Sequence, residues 1–419
     1  MLISPHIMYW QYFYRSSSFG LNSSASKVLV CAKDAVLSSG AAWKASTTGG
    51  IGGGPISQEG SARFLQTSTA SANEEAIRTS ILMDKKIVPE AKPPSDKDID
   101  LFYQFLNKST RLMVLTGAGI STECGIPDYR SPKGAYSSGF QPITHQDFLR
   151  SIRTRRRYWA RSYAGWKRFV STQPNAAHFA LATLEKTGKI SCMVTQNVDQ
   201  LHHRAGSNPL ELHGTVYTAS CLDCGSTYSR QLIQEQVKAL NPKWTAAIER
   251  MDYYNPRADE SFGMRQKPTP DVKIDEKFWE EDFNVPACPK CDGMLKPDVV
   301  FFGDNIPKDR ATKAMEAAKT CDAFLVCGSS LMTMSAYRLV RFAHEAGAAI
   351  AIVNIGMTRA DDIVPLKIEA RLGEAFCRFY LRSLRSGLPP SLHPSDIQLE
   401  AKAPNEEVIH ALTLVNDND

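Results

Sequence analysis

The sequence predicts an α/β fold in which a doubly wound parallel sheet carries a smaller inserted module. Short apolar runs alternate with helix-like stretches, and each run ends in glycine or a small polar residue. This alternation is typical of parallel strands joined by helices, whose loops meet at one edge of the sheet. We therefore expect functional residues at the carboxyl ends of the strands. The predicted strands span residues 112–115, 193–194, 323–326 and 349–353.

The composition of the 419-residue chain is that of a globular protein, with 43% hydrophobic and 22% charged residues. No apolar stretch of about 18 residues is present, so the sequence predicts no membrane-spanning helix. The net charge of +5 is modest and does not by itself indicate nucleic-acid binding. We expect neither a membrane nor a nucleic acid among the partners.

The two ends of the chain differ in composition from its middle. Serine, glycine and alanine dominate residues 1–75, where Asp34 and Glu59 are the only acidic residues before Glu74. An acid-poor, serine-rich leader with scattered basic residues is typical of an organelle transit peptide, and a plain disordered leader is the alternative. Residues 76–97 are predicted to be a linker and residues 383–419 a disordered tail.

The foldable part is predicted to span residues 98–382, with the parallel sheet built from 98–130, 176–216 and 293–382. Its first element is a predicted helix at 98–106. A helical insertion is predicted at 131–175, where four aromatic residues are expected to anchor the small module: Tyr158, Trp159, Tyr163 and Trp166. Six arginines of this insertion are predicted to form a solvated helix face, with a surface for an acidic partner as the alternative: Arg150, Arg153, Arg155, Arg156, Arg157 and Arg161.

Two Cys-x-x-Cys pairs indicate a metal site within residues 217–292. Each pair can supply two thiolates to one side of a tetrahedral zinc, and four thiolates close the coordination sphere. A closed sphere leaves no position for water, so the predicted zinc is structural, with free thiols or a redox pair as the alternative. The predicted ligands are Cys221, Cys224, Cys288 and Cys291.

A glycine turn follows the first predicted strand and predicts a nucleotide site. Gly117 and Gly119 would let backbone N–H groups approach a pyrophosphate before a helix start. The third glycine of the usual dinucleotide fingerprint is missing at its expected spacing, so the turn alone is weak evidence.

The motifs that follow this turn resemble, in kind and order, those of the sirtuin family. The resemblance covers roughly residues 98–378 and is strongest to the mitochondrial-type class II branch, in particular its plant members. It implies a Rossmann-like sheet with a small zinc-ribbon and helical insertion domain. The matching stretches are Gly117 to Ser131, Gln196 to Asp199, Glu211 to Gly214, the two cysteine pairs, Phe301 to Asp304, Gly328 to Leu331 and Asn354 to Gly356.

The resemblance implies an NAD-dependent protein-lysine deacylase that acts on acylated-lysine proteins. In the family, the acyl oxygen attacks the ribose C1′ and displaces nicotinamide, and the products are free lysine and 2′-O-acyl-ADP-ribose. His213 is implied as the general base, a role that suits a pKa near working pH. Asn197 and Asp199 are implied as further catalytic residues that bind the nicotinamide amide, and Gln196 is implied to contact the nicotinamide ribose.

The resemblance also implies the remaining site residues. NAD as co-substrate would contact Gly117, Ala118, Gly119, Ile120, Ser121, Glu123, Gly125, Ile126, Pro127, Asp128, Tyr129, Arg130, Tyr136, Gln196, Asn197, Val198, Asp199, Gly328, Ser329, Ser330, Asn354, Ile355, Gly356 and Leu372. Acyl-lysine would bind by strand addition to an apolar strand within 299–304, with contacts to Val300, Phe301 and Gly303. The histidines His202 and His203 are predicted to be packing or surface residues.

Several alternatives stay open from sequence. Mono-ADP-ribosyl transfer to protein uses the same NAD cleavage, whereas a dehydrogenase is disfavoured by the incomplete glycine fingerprint. A zinc-dependent nucleic-acid binder without enzymatic activity is the third rival.

The acyl group that the protein removes is also open. No arginine follows Tyr136 nearby, which disfavours succinyl and malonyl groups as substrates and leaves acetyl, longer acyl and lipoyl-type groups. The family branch favours the mitochondrial matrix over the plastid.

Overall fold

The computed structural model describes residues 88–138, 140–254 and 282–385, so the predicted leader and almost all of the predicted tail lie outside the described residues. A 6-stranded sheet has the order β3-β2-β1-β7-β8-β9, and its neighbouring strands are parallel. The four strands expected from sequence are its β1, β2, β7 and β8. The strands are β1 Leu112–Thr116, β2 Ile190–Thr195, β3 Leu210–Glu211, β4 Gly214–Cys221, β5 Thr227–Ser229, β6 Leu295–Val299, β7 Ala323–Cys327, β8 Ala349–Val353 and β9 Leu366–Ile368.

Helices cover both faces of this sheet because its central strands are apolar on both sides. On β1, Leu112 and Val114 face one core, shared with α1, α4 and α10, while Met113 and Leu115 face a second core, shared with α8 and α9. This is the predicted doubly wound arrangement. The helices are α1 Asp96–Lys108, α2 His145–Arg150, α3 Ile152–Ser171, α4 Ala176–Lys186, α5 Leu201–Arg204, α6 Arg230–Leu240, α7 Pro242–Tyr254, α8 Lys308–Thr320, α9 Met334–Glu345 and α10 Leu372–Arg385.

A second, 3-stranded antiparallel sheet has the order β5-β4-β6 and packs against α3 and α6. Its core contains the fully buried Trp159 of α3. Arg230 of α6 is buried beside it, with its guanidinium 5.4 Å from the Trp159 ring centroid and 4.8 Å from that of Trp166. The aromatic residues of α3 therefore anchor the small module, as the sequence predicted.

The structure adds detail to two local predictions and contradicts a third. The predicted helix start after β1 is a 3₁₀ helix, Ala118–Cys124, which ends at Gly125 with φ +90°. The predicted helical insertion contains two helices, α2 and α3, separated at Ser151, whose hydroxyl accepts from Thr154 N and caps α3. The strand expected within 299–304 instead ends at Val299, and the segment after it makes an isolated bridge between Phe302 and Thr144.

Candidate active site

The candidate site lies where the strand order of the parallel sheet reverses. The chain leaves β1 toward β2 on one side, and β7 is the neighbour of β1 on the other. Loops that follow two such strands diverge and leave a crevice at their carboxyl ends. Gly117 follows β1 and Gly328 follows β7, so the predicted glycine turn borders this crevice.

The two glycine loops approach each other backbone to backbone. Gly119 N donates to Gly328 O at 2.8 Å, and Gly117 N donates to Cys327 O at 3.0 Å. A Cβ on Gly119 would lie 2.8 Å from the Cα of Gly328, and a Cβ on Gly117 would lie 2.8 Å from the carbonyl oxygen of Gly328. The closeness of the two main chains explains the glycines, and we call the surface that the two loops form the glycine cradle.

Polar side chains after β2 lie against this cradle. Asn197 Nδ2 donates to Gly117 O at 3.1 Å and to Ser121 Oγ at 3.2 Å. The Ser121 hydroxyl donates to Asp199 Oδ2 at 2.7 Å. The structure thus brings together the predicted residues Asn197, Asp199 and Ser121, which the sequence separates.

Asp199 is a buried carboxyl group. Its burial raises the pKa, and hydrogen bonds from Leu201 N and the Ser121 hydroxyl oppose that shift. A buried carboxyl with its other oxygen at 3.0 Å from Leu201 N is held in one orientation. Such a fixed acceptor can select an amide or hydroxyl donor of a ligand.

Gln196 links the two halves of the crevice. Its side-chain Nε2 donates to Ser329 Oγ at 2.8 Å and to Thr116 O at 3.2 Å. Its Oε1 accepts from the Thr333 hydroxyl at 3.1 Å. Gln196 therefore connects the end of β1 with the loop that follows β7.

His213 is held through both of its ring nitrogens. Nδ1 lies 3.1 Å from Gln196 O, and Nε2 lies 2.9 Å from Ser335 Oγ. A carbonyl oxygen can only accept, so Nδ1 carries the hydrogen and Nε2 is the basic nitrogen in the neutral ring. Burial lowers the pKa of His213, the Gln196 carbonyl raises it and the positive charge of Arg310 lowers it. His213 is accordingly a neutral base at pH 7.

The glycine that follows His213 allows the start of β4 to lie close to β6. Gly214 has φ +81°, and a Cβ there would lie 1.8 Å from Asp298 O. Only glycine permits this close pairing of β4 with β6. Val300 N donates to His213 O at 2.9 Å, which ties this histidine to the chain segment after β6.

The predicted residues 128–136 follow the 3₁₀ helix. Asp128 Oδ1 accepts from Arg130 N at 3.0 Å and from Ser131 N at 2.9 Å, so its carboxylate shapes the loop. Tyr129 and Arg130 are exposed, and Arg130 lies 5.3 Å from the Tyr136 ring centroid. An exposed guanidinium at this position is available to an anionic ligand.

The loop after β8 holds the predicted residues 354–356, whereas Glu123 lies in the 3₁₀ helix and Leu372 begins α10. The Asn354 side chain donates to Ile355 O at 2.9 Å and to Gly356 O at 3.1 Å, so it shapes its own turn. Glu123 Oε1 accepts from Gly373 N at 2.9 Å, next to the buried Leu372 at the start of α10. Glu123 and the start of α10 at Leu372 thus join the 3₁₀ helix to α10.

The segment predicted to bind acyl-lysine is lined by aromatic rings. The Phe301 ring lies 5.3 Å from that of Phe148 and 5.5 Å from that of Tyr158. Burial raises the pKa of Tyr158, so its hydroxyl stays neutral at pH 7. Lys296 Nζ is 4.8 Å from the Phe301 centroid, and it is paired with Asp304 at 3.2 Å.

The four predicted metal ligands form one cluster beside the second sheet. Their Sγ atoms all lie within 4.8 Å of one another, with Cys221 to Cys291 at 3.6 Å and Cys224 to Cys288 at 3.7 Å. Tetrahedral Zn–S bonds of about 2.3 Å place sulfur atoms ~3.8 Å apart. The residues therefore fit one four-coordinate zinc.

Sequence reasoning missed the polar groups that come from α9 and its N-cap. Thr333 and Ser335 contact Gln196 and His213 across more than a hundred residues, and no local pattern marks them. His202 is buried with Nε2 at 2.9 Å from Thr116 Oγ1, whereas the half-exposed His203 pairs with Glu211 at 3.4 Å. Both histidines thus have the packing and surface positions that were predicted.

Comparisons with known proteins agree with this arrangement. A family model described as the Sir2 family matches residues 117–335. NAD-dependent protein deacylase SRT2 of Arabidopsis thaliana is 64% identical over 76% of this chain and 88% of its own length. The mitochondrial NAD-dependent protein lipoamidase sirtuin-4 of Homo sapiens is 47% identical over 68% of this chain and 87% of its own length. A solved structure of Sir2 with a p53 peptide and NAD+ superimposes with a TM-score of 0.52 at 29% identity, covering 69% of this chain and 98% of that chain.

Proposed function

The chain belongs to the Sir2 family, and from that premise we propose that it is an NAD-dependent protein-lysine deacylase. The observation that carries the proposal is the setting of His213: a neutral imidazole whose basic Nε2 lies at the crevice that the glycine loops form. NAD supplies a ribose that loses nicotinamide and accepts the acyl group. The chain itself supplies the base, the cradle and the binding segment.

Each group at the crevice has a proposed part. The glycine cradle would lie against NAD, because it borders the crevice at the carboxyl ends of β1 and β7. Asn197 and Asp199 would orient the carboxamide, and Asp199 is already fixed by Ser121 at 2.7 Å. His213 would take the proton of a ribose hydroxyl at Nε2, because Nδ1 is engaged with the Gln196 carbonyl at 3.1 Å.

The four cysteines would hold one structural zinc. Four thiolates leave no open position, so the ion would bind neither water nor substrate. The cluster joins the loop after β4 to the turn before β6, which places the predicted ion in the small module rather than at His213. Its proposed contribution is therefore stability.

We propose a neutral acyl group, such as an acetyl, longer acyl or lipoyl-type chain. Aromatic rings of Phe148 and Tyr158 surround Phe301. The neighbouring cation, Lys296, already donates to Val299 O at 2.6 Å and pairs with Asp304. An acidic acyl group would need a cation that is free to pair with it.

A mitochondrial location is proposed for the full chain, with the plastid as the alternative. Support comes from the composition of residues 1–75 and from relatives that carry the word mitochondrial in their names. Among the described residues no helix is long and apolar enough to cross a membrane. Import of the radiolabelled full chain into isolated mitochondria, with chloroplasts in parallel, tests the location.

The function is tested with purified full-length protein, NAD and an acyl-lysine peptide. We expect nicotinamide, free lysine and 2′-O-acyl-ADP-ribose in equal amounts, and a His213→Asn variant that is slower by about 10²–10⁴-fold. The matched control is His203→Asn, which removes a half-exposed histidine outside the crevice and should keep the wild-type rate. Label from NAD retained on protein, without free lysine, would show ADP-ribosyl transfer instead.

A further inference from the structure

Ser335 contacts Nε2 of His213, the ring nitrogen that is proposed to accept the proton. Its Oγ lies 2.9 Å from His213 Nε2, while Nδ1 on the other side of the ring lies 3.1 Å from Gln196 O. The two contacts fix the plane of the imidazole. They also give each ring nitrogen an oxygen partner, and those two oxygens differ in chemistry.

A hydroxyl can form a hydrogen bond with a histidine nitrogen whether or not that nitrogen is protonated, whereas a carbonyl oxygen can do so only with a protonated nitrogen. In the neutral ring, the Ser335 O–H donates to the Nε2 lone pair. In the imidazolium, the same oxygen accepts from Nε2–H, as Gln196 O accepts from Nδ1–H. Hydrogen bonds that involve a charged donor are roughly twice as strong as neutral ones, so the pair of oxygens favours the cation more than the neutral ring.

The surroundings of His213 otherwise oppose the cation. His213 is largely buried, and burial removes the water that would solvate a charged ring. Among the described residues, Arg310 of α8 is the charged group that acts on His213, and it has the same sign as an imidazolium. The first turn of α9, which carries Ser335, adds the partial positive charge of a helix N-terminus. Ser335 Oγ and Gln196 O are therefore the groups that can stabilise a proton on this ring.

The position of Ser335 is itself held by the network of Gln196. Thr333 is the N-cap residue of α9, yet its side chain does not cap the helix. Its hydroxyl instead donates to Gln196 Oε1 at 3.1 Å. The residue that holds Nδ1 by its carbonyl thus also holds, by its side chain, the turn that presents Ser335 to Nε2.

We propose that Ser335 is a positioning residue for His213, and this proposal rests on the proposed deacylase function. Before the ribose arrives, the Ser335 hydroxyl holds Nε2 toward the crevice. The ribose hydroxyl then replaces it at Nε2 and transfers its proton to that nitrogen. Once the ribose oxygen has bonded to the acyl carbon, Nε2–H donates to Ser335 Oγ until the proton passes to water. No covalent bond to Ser335 forms or breaks.

The test compares Ser335→Ala with Ser335→Thr, which keeps the hydroxyl, and with Ser191→Ala, which changes an exposed serine near the amino end of β2. NMR titration of ¹⁵N-labelled histidine gives the pKa of His213 in the free protein. The pH dependence of kcat/KM gives the same pKa from its acid limb. We expect Ser335→Ala to lower this pKa by about half a unit to one unit and to lower kcat by roughly 3- to 10-fold. The threonine variant and Ser191→Ala should match the wild type.

An unchanged or raised pKa in a folded Ser335→Ala protein would overturn the proposal. If the alanine variant does not fold, Ser335→Cys decides the same point, because a thiol of similar size is a much weaker acceptor. Failure of the deacylase function is a separate result. The wild type would then form no acyl-ADP-ribose, while the NMR titration would still report whether Ser335 sets the pKa of His213.

Discussion

Replacing Gly328 by alanine tests whether the crevice depends on backbone contact between the two glycine loops. Gly328 has φ +61°, and a Cβ there would lie 2.4 Å from Ile120 N. The atoms in the way belong to the main chain of the glycine turn, so no side-chain rotation relieves the clash. The loops must separate, and the glycine cradle that they form widens with them.

The magnitude follows from two separable costs. An alanine with left-handed φ costs about 1–2 kcal/mol. Forcing an extra methyl into a closely packed site costs a further ~1–3 kcal/mol. Gly347 is a matched control, since it has φ +79° and a Cβ there would meet nothing within 4 Å. Gly347→Ala should therefore show the first cost alone.

Urea unfolding of both variants measures the free energy of unfolding, and initial rates against NAD concentration measure KM. We expect Gly328→Ala to lose about 2–5 kcal/mol and to raise KM for NAD at least roughly tenfold, since ~1.4 kcal/mol of lost binding is a factor of ten. Gly347→Ala should lose about 1–2 kcal/mol and keep the wild-type KM. Equal stability losses in the two variants, together with an unchanged KM in Gly328→Ala, would refute the reasoning.

Two further predictions concern a buried histidine and the cysteine cluster. Burial, with a smaller contribution from His203, lowers the pKa of His202 from 6.5 to about 3. Below pH 6.5 the unfolded chain binds a proton that the folded chain does not, so the free energy of unfolding should fall toward pH 3 by up to about 1.4 kcal/mol per pH unit. His202→Asn should flatten this slope, and parallel stability curves for variant and wild type would contradict the prediction. Cys224→Ser should reduce bound zinc, measured by atomic absorption, from about one ion per chain toward none, whereas Cys192→Ser should keep it. A serine variant that retains its zinc would show that the four thiolates are not the ligands.

The positions of the predicted residues show which kind of signal a sequence carries. Strands β1, β2, β7 and β8 were predictable because buried parallel strands are continuous apolar runs that end at turns. The four cysteines were predictable because tetrahedral thiolate sites require ligands in closely spaced pairs. The 3₁₀ form of Ala118–Cys124 was not predicted, and neither was its long-range hydrogen bond from Gly373 N to Glu123, because no local spacing marks either of them.

The sequence by itself predicted the fold class from its apolar runs, and its ordered motifs, through their resemblance to the sirtuin family, indicated the family and the proposed base. Tertiary structure decided how that base is held. Ser335 reaches His213, and Thr333 reaches Gln196, because the sheet brings the chain after β7 close to the segments that follow β2 and β3. Hydrogen bonds between residues that are distant in the chain produce no periodic pattern in the sequence, so only the folded structure shows them. The same holds for the glycine turn. Gly117 and Gly119 could be identified in the sequence, but only the structure shows the close approach to Gly328 that requires glycine at these positions.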